Sequence, residues 1–157
     1  MARLSGKIAV VTGAGGGIGA AIAQRFAVEG AHVWVTDING ETAEETVRNI
    51  KAAGGAATAM SVDVSKGQDV TALLRNIENA HGYVDIVVNN AGILVRGEVR
   101  QLSDAEWTKL REVNLDAILR ISRGRQSFSP PTTAYIARAR NWPSTAAWEP
   151  GCNRRAG

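Results

Sequence analysis

The chain has 157 residues, 45% hydrophobic and 21% charged with 17 glycines, which excludes collagen-like, coiled-coil and disordered classes. One domain of this length can bury roughly 70% of its unfolded surface. The formal charge of +3 would favour nucleic acid or a membrane surface, but residues 1–121 carry 12 Lys+Arg against 14 Asp+Glu, and residues 122–157 carry six Arg against one acid.

The positive excess is therefore confined to the tail, where arginines such as Arg154 and Arg155 lack the helix or aromatic interleaving of a nucleic-acid surface. Cys152 is the only cysteine, so neither an intrachain disulfide nor a cysteine metal cluster can form. His32 and His81 have no carboxylate or cysteine at metal spacing, and they read as core or surface histidines with no metal. The opening MARLSGK is charged and is followed by only a short apolar run, Ile8 to Val11, too short for a signal segment. No segment reaches the about 18 apolar residues of a spanning helix. These features set the expectation of a soluble cytoplasmic protein without nucleic-acid or membrane partners.

In chain order, Lys7–Thr12 (KIAVVT) is a continuous apolar run between glycines, which suits a strand buried on both faces of a parallel sheet. Ile18, Ile22 and Phe26 recur at helical spacing up to a capping Gly30. His32–Asp37 predicts a second strand and Glu41–Ala53 a second helix, ended by Gly54-Gly55. Trp34 reads as core. Ala57–Val62 predicts a third strand, and Ser65-x-x-Gln68 a capping box opening a helix through Val70, Leu73, Leu74 and Ile77. Asp85–Asn89 (DIVVN) predicts a fourth strand. A second capping box, Ser103-x-x-Glu106, opens a helix whose apolar residues Trp107, Leu110, Val113, Leu115, Ile118 and Leu119 run to about Ile121. Alternation of strands and helices implies right-handed crossovers and a doubly wound parallel α/β sheet.

Residues 122–157 break the pattern. All four prolines, the cysteine and two of the four tryptophans fall there, with no Leu, Val or Lys and no sustained period of 2 or 3.6. Such a segment buries too little apolar surface to offset backbone ordering of about 1–2 kcal/mol per residue. The chain thus divides into an α/β unit, 1–121, and a low-structure tail, 122–157, that reads as the product of a truncation or a frame shift.

TGAGGGIG, Thr12 to Gly19, joins the first strand to the first helix. Glycines there permit positive φ and close backbone approach, and the helix N-terminus favours an anion, so the loop reads as a phosphate cradle. No Lys-Ser/Thr follows, which excludes a Walker loop. Two registers fit the residues: Gly15-x-Gly17-x-x-Ala20, and the wider Gly13-x-x-x-Gly17-x-Gly19. Asp37 ends the second strand 18 residues after Gly19, near the spacing of an acid that hydrogen-bonds an adenosine ribose. Neither Gly16 nor Ile38 offers a cation for a 2′-phosphate, so NAD is expected over NADP.

With TGAGGGIG, Asp37, Asp63-Val64, Asn89-Asn-Ala-Gly92 and Val113-Asn-Leu115 in order, the chain resembles the short-chain dehydrogenase/reductase family over about residues 5–121. The resemblance implies a Rossmann-type sheet of order 3-2-1-4, and it implies Gly13, Gly17 and Gly19 as the loop glycines, with Thr12 and Ile18 beside them. It also implies Asp63 and Val64 around the adenine, Asn90, Ala91 and Gly92 on the cofactor floor, and Asn114 in the catalytic set. An Asn within a helix would otherwise be read as facing solvent or bending the turn.

The implied chemistry is hydride transfer between nicotinamide and a small-molecule alcohol or carbonyl substrate. It uses a Tyr whose pKa a Lys four residues later lowers, with a substrate-orienting Ser upstream. Tyr83 precedes the fourth strand, and Tyr135 has Ala139 at the Lys position with Arg138 one place short. No apolar strand before Tyr135 carries the Ser. The chain alone is therefore expected to be inactive, an oxidoreductase by family, or alternatively a non-catalytic NAD-binding module. Homo-oligomers are usual for the family, but much of that interface is expected to be missing. DIVVN would be left at an open sheet edge.

Overall fold

The computed structural model describes residues 2–125 and the pair 136–137. A parallel sheet forms from β1 (Ile8–Thr12), β2 (His32–Asp37), β3 (Ala56–Ser61), β4 (Ile86–Val88) and β5 (Ile136–Ala137), in the order β3-β2-β1-β4-β5. β1 registers Ile8 opposite His32 and Thr12 opposite Thr36, and on its other side Ala9 opposite Ile86. All of β1 is buried, as the continuous apolar run predicted.

Helices cover both faces. On one, α1 (Gly17–Val28) and α2 (Gly40–Ala52) bring Ala23, Ala27, Val47 and Ile50 onto Ala9, Val11, Val33, Val35 and Val88. On the other, α3 (Gly67–His81) and α5 (Ala117–Arg125) bring Leu73, Ile77, Ala117 and Ile121 onto Val10, Trp34 and Val87. Successive strand residues thus feed alternate cores. Trp34, 6% exposed, is core as expected. At the opposite end of the strands from the glycine loop, buried Asp85 accepts from Lys7 Nζ (2.9 Å) and from Ile8 N (2.8 Å), tying β1 to β4.

Four details depart from the sequence expectation. First, Ser65 does not cap α3: its hydroxyl donates to Asp63 Oδ1 (2.6 Å), and the helix starts at Gly67 with Lys66 at the N-cap and no side-chain cap. The helix start one residue later than the box requires leaves Ser65 outside the cap position. Ser103 makes the predicted box, its hydroxyl accepting from Glu106 N (3.3 Å) while donating to Glu106 Oε2 (2.7 Å), which also accepts from Ser103 N (2.9 Å).

Second, the single helix expected over about 104–121 is α4 (Asp104–Arg111), a π-helical turn (Glu112–Asp116) and α5. The extra residue in the turn shifts the apolar spacing, so Val113, Ala117 and Ile121 are buried while Trp107 (56%), Leu115 (53%) and Leu119 (47%) stand exposed. Third, helix continues past Ile121 to Arg125, because Ser and Arg propagate backbone hydrogen bonds after the apolar stripe has ended. Fourth, β4 is not left open: Ile136 and Ala137 pair in parallel with Val87 and Val88. The rest of the tail, including Tyr135, Arg138, Ala139, Cys152, Arg154 and Arg155, lies outside the described residues.

Candidate functional site

The predicted site residues gather where β1, β2, β3 and β4 end and α1 begins. Gly13 (φ 63°) and Gly17 (φ 52°) take left-handed conformations that other side chains rarely adopt. A Cβ on Gly13 would stand 2.8 Å from Ala91 Cα, and one on Gly19 would strike Gly13 O and Asn90 Nδ2. Gly15 is equally confined, between Thr42 and Asp37. Gly16 and Gly17 differ: among the described residues nothing lies within 4 Å of the Cβ they lack. The loop therefore packs through three glycines and leaves two open, at the start of a helix whose N-cap, Gly16, has no side-chain cap and whose first turn carries no acid. First-turn N–H groups have no intrahelical acceptor, so this opening is electropositive and sterically accessible.

Polar side chains hold this loop on the sheet. Thr12, 1% exposed, donates to Val88 O (3.3 Å) and accepts from Asn90 N (3.1 Å) and Ala91 N (3.0 Å). Asn90 Nδ2 returns to Thr12 O and Gly13 O, both at 2.9 Å. The end of β4 and the start of the glycine loop thus form one hydrogen-bonded knot.

Asp37 spans the loop and α2: Oδ2 accepts from Gly15 N (2.9 Å) and Oδ1 from Asn39 N (3.0 Å). Among the described residues no cation is paired with it. Asp63 is fixed more tightly, with Oδ1 accepting from the hydroxyl and N–H of Ser65, Lys66 Nζ 3.6 Å from Oδ2, and its own N–H donated to Asp69 (3.0 Å). The Ser65 hydroxyl, more than the opposing burial and the Lys66 charge, holds the Asp63 carboxyl below the usual carboxylate range. Val64 beside it is buried.

Asn114 lies in the π-helical turn. Its Oδ1 accepts from Ile93 N and its Nδ2 donates to Ile93 O, both at 2.9 Å, a two-point clamp on the loop that follows β4. It neither faces solvent nor merely bends a turn. Arg120 Nη1, on α5, donates to Ser65 O (2.8 Å), tying that helix to the Asp63 loop.

Three features lay outside the predicted site. Ile18 (64% exposed) was a predicted site residue, but Ile38 (70%) and Leu94 (77%) were not, and all three side chains are exposed. Asn89, 5% exposed, has no hydrogen-bond partner among the described residues on either side-chain atom. Gly15, which the narrower of the two glycine registers included, is as confined as Gly13 and Gly19. Ile38 carried a legible signal, since it directly follows the strand-end acid. Tyr83 is excluded from the site: it lies just before β4, with its hydroxyl 3.5 Å from Gly6 O at the far end of the sheet.

Comparison with known proteins supplies the context. A profile described as short chain dehydrogenase matches residues 7–127. The chain is 47% identical over 116 residues to 3beta-hydroxysteroid dehydrogenase 1 of Eggerthella lenta, covering 73% of this chain and 44% of that protein. It superposes on a 7 alpha-hydroxysteroid dehydrogenase complexed with NADH and 7-oxo glycochenodeoxycholic acid with a TM-score of 0.77 at 37% identity, covering 81% of this chain and 49% of that one. A metagenomic short-chain oxidoreductase in complex with NADP gives a TM-score of 0.76 at 40% identity, covering 80% and 56%. The chain spans about half the length of the curated relatives it matches. No described helix is long and apolar enough to cross a membrane. With the motif residues brought together around one cradle, and profile, sequence and fold in agreement, the chain belongs to the short chain dehydrogenase family.

Proposed function

We propose that the cradle binds NAD, and that the activity it serves is hydride transfer between nicotinamide and an alcohol or carbonyl substrate. The observation that carries this reading is the open face of Gly16 and Gly17 at an uncapped, acid-free helix start, with Asp37 anchored at the neighbouring strand end. Gly17, Ile18 and Gly19 would offer N–H groups to the pyrophosphate. Asp37 would accept from the adenosine ribose, with Ile38 beside the adenine. Asp63 and Val64 would bound the other side of the base, and Asn90, Ala91 and Gly92 the floor. When bound, the dinucleotide supplies nicotinamide C4 as hydride donor or acceptor.

The preference for NAD over NADP rests on charge. Both Asp37 oxygens are held by backbone N–H groups, so the carboxylate cannot turn away from a 2′-phosphate. Related proteins carry either cofactor, so the preference comes from Asp37 and the exposed, uncharged Ile38.

Asn114, through its clamp on Ile93, would position the loop over which substrate and nicotinamide meet. The two tyrosines of the chain, Tyr83 and Tyr135, are followed four residues later by Val87 and Ala139, so no Tyr-x-x-x-Lys is present. The chain by itself is accordingly read as binding the dinucleotide without turning it over. Its single cysteine fits the reducing cytoplasm.

Titration of the purified protein with NADH, followed by nicotinamide fluorescence, tests the reading: saturable binding with weaker NADPH binding is expected, and no saturable binding of either refutes it. Asp37→Asn should lower NADH affinity by about tenfold, since a neutral acceptor replaces a charged one, and should narrow the gap to NADPH.

A further inference from the structure

A cluster outside the cofactor cradle is built from two imidazoles. His32 begins β2, and its side chain lies on the Trp34 face, toward α3; His81 is the last residue of α3, ahead of the left-handed Gly82 cap. The two rings lie 4.5 Å apart, centroid to centroid, at 54°. The His81 ring also stands edge-on to Trp34 at 6.1 Å and 88°. His32 Nε2 is 2.9 Å from Thr58 Oγ1 on β3. The buried Trp34 indole nitrogen has no hydrogen-bond partner among the described residues.

The charged groups around His32 are all cations or potential cations. His81 faces it from α3 and Lys51 from the last turn of α2; Thr58 on β3 is uncharged, and Lys7 on β1 is committed to Asp85. Among the described residues neither imidazole is ion-paired with a carboxylate. A neutral His32 is accommodated there, whereas a charge on His32 meets partial burial and like charge, with only the Thr58 hydroxyl and no carboxylate to offset them.

We propose that the His32–His81 contact is an acid-sensitive latch, which docks the C-terminal turn of α3 on the sheet while His32 is neutral and releases that turn, uncovering Trp34, when His32 is protonated. Burial first, then His81 and Lys51, hold the His32 pKa below its ordinary value of 6.5. The sign follows from linkage. A depressed folded pKa means that the contact is fully stabilising above pH 6.5, and that this stability is lost as pH falls through the lower folded value. The latch does not depend on cofactor binding, since it lies at the opposite end of β2 from Asp37.

The experiment uses the full chain with Trp107, Trp142 and Trp148 replaced by Phe, so that Trp34 alone emits, over a pH series from about 8 to 5. Below pH 6.5, Trp34 emission should change in one reversible step, and the amides of Asn76–His81 should lose protection once their rates are corrected for the pH dependence of intrinsic exchange. Amides of α2 should keep their protection. His32→Gln should keep the pH 8 spectrum and abolish the step; if that variant does not fold, His81→Gln, which removes the ring docked on His32, should reduce it. Unchanged α3 protection across the series, an unaltered step in both variants, or α2 and α3 losing protection together would each overturn the latch.

Discussion

Asn114 is where the proposed chemistry and the observed architecture meet in one side chain. Its amide satisfies both backbone groups of Ile93, and it does so from the π-helical turn that interrupts the helix. A helix position flanked by Val113 and Leu115 gives no hint in sequence that its partner lies 21 residues upstream, since such a contact is set by how the helix crosses the end of β4. Asn114→Ala would leave the half-buried N–H and C=O of Ile93 without these partners, and should lower unfolding stability by about 1–3 kcal/mol in a urea titration. An unchanged midpoint would show that water replaces the amide at no cost. Thr12, Asn90, Asp37 and Asp63 were legible because the motifs name them, but their mutual bonds, such as Asn90 to Gly13 O, were not.

At the scale of elements, caps were readable only where the helix start fell at the expected residue. Ser103 and Glu106 form the predicted box, whereas α3 starts one residue too late for Ser65, which bonds Asp63 instead. The cap of α2, Asn39, accepts from Glu41 N (3.0 Å) and Thr42 N (3.4 Å), two otherwise unpaired first-turn donors. Asn39→Ala should cost about 1 kcal/mol of stability. It should also loosen Thr42, which packs against Gly15, so slower unfolding than wild type would contradict the assignment. The alternation of strands and helices, and so a parallel sheet, followed from apolar runs separated by helices, while the strand order came from the family resemblance. The two-residue β5 did not, because Ile136-Ala137 is too short to show any period.

For the whole molecule, the ends of the strands carry opposite duties. The C-terminal ends hold the cradle; the opposite ends are stitched by Lys7 and buried Asp85. The hydrogen bond to Asp85, reinforced by its charge, raises the Lys7 pKa above 10.5. A raised folded pKa means that the stitch stabilises fully below pH 10.5 and is lost as pH rises through the folded value. Thermal melts should therefore fall off in that alkaline range. Lys7→Met should melt lower at neutral pH, because Asp85 is left buried without its cation, and should lack the alkaline decline. A wild-type decline retained in the variant would assign it to other groups.

The sequence by itself determined the architecture and the place of the cradle, because apolar runs, glycine spacing and strand-end acids are local patterns whose physics needs no partner. It also showed the absence of a Tyr-x-x-x-Lys pair. Only the tertiary structure decided which hydroxyl caps a helix, where the helix after Ser103 takes its π-helical turn, that Gly16 and Gly17 face open space while Gly15 does not, and that His32 meets His81. Most of these depend on groups distant in sequence meeting across the sheet or the loop, as Gly15 meets Thr42 and His32 meets His81, and those meetings exist only once the chain has folded.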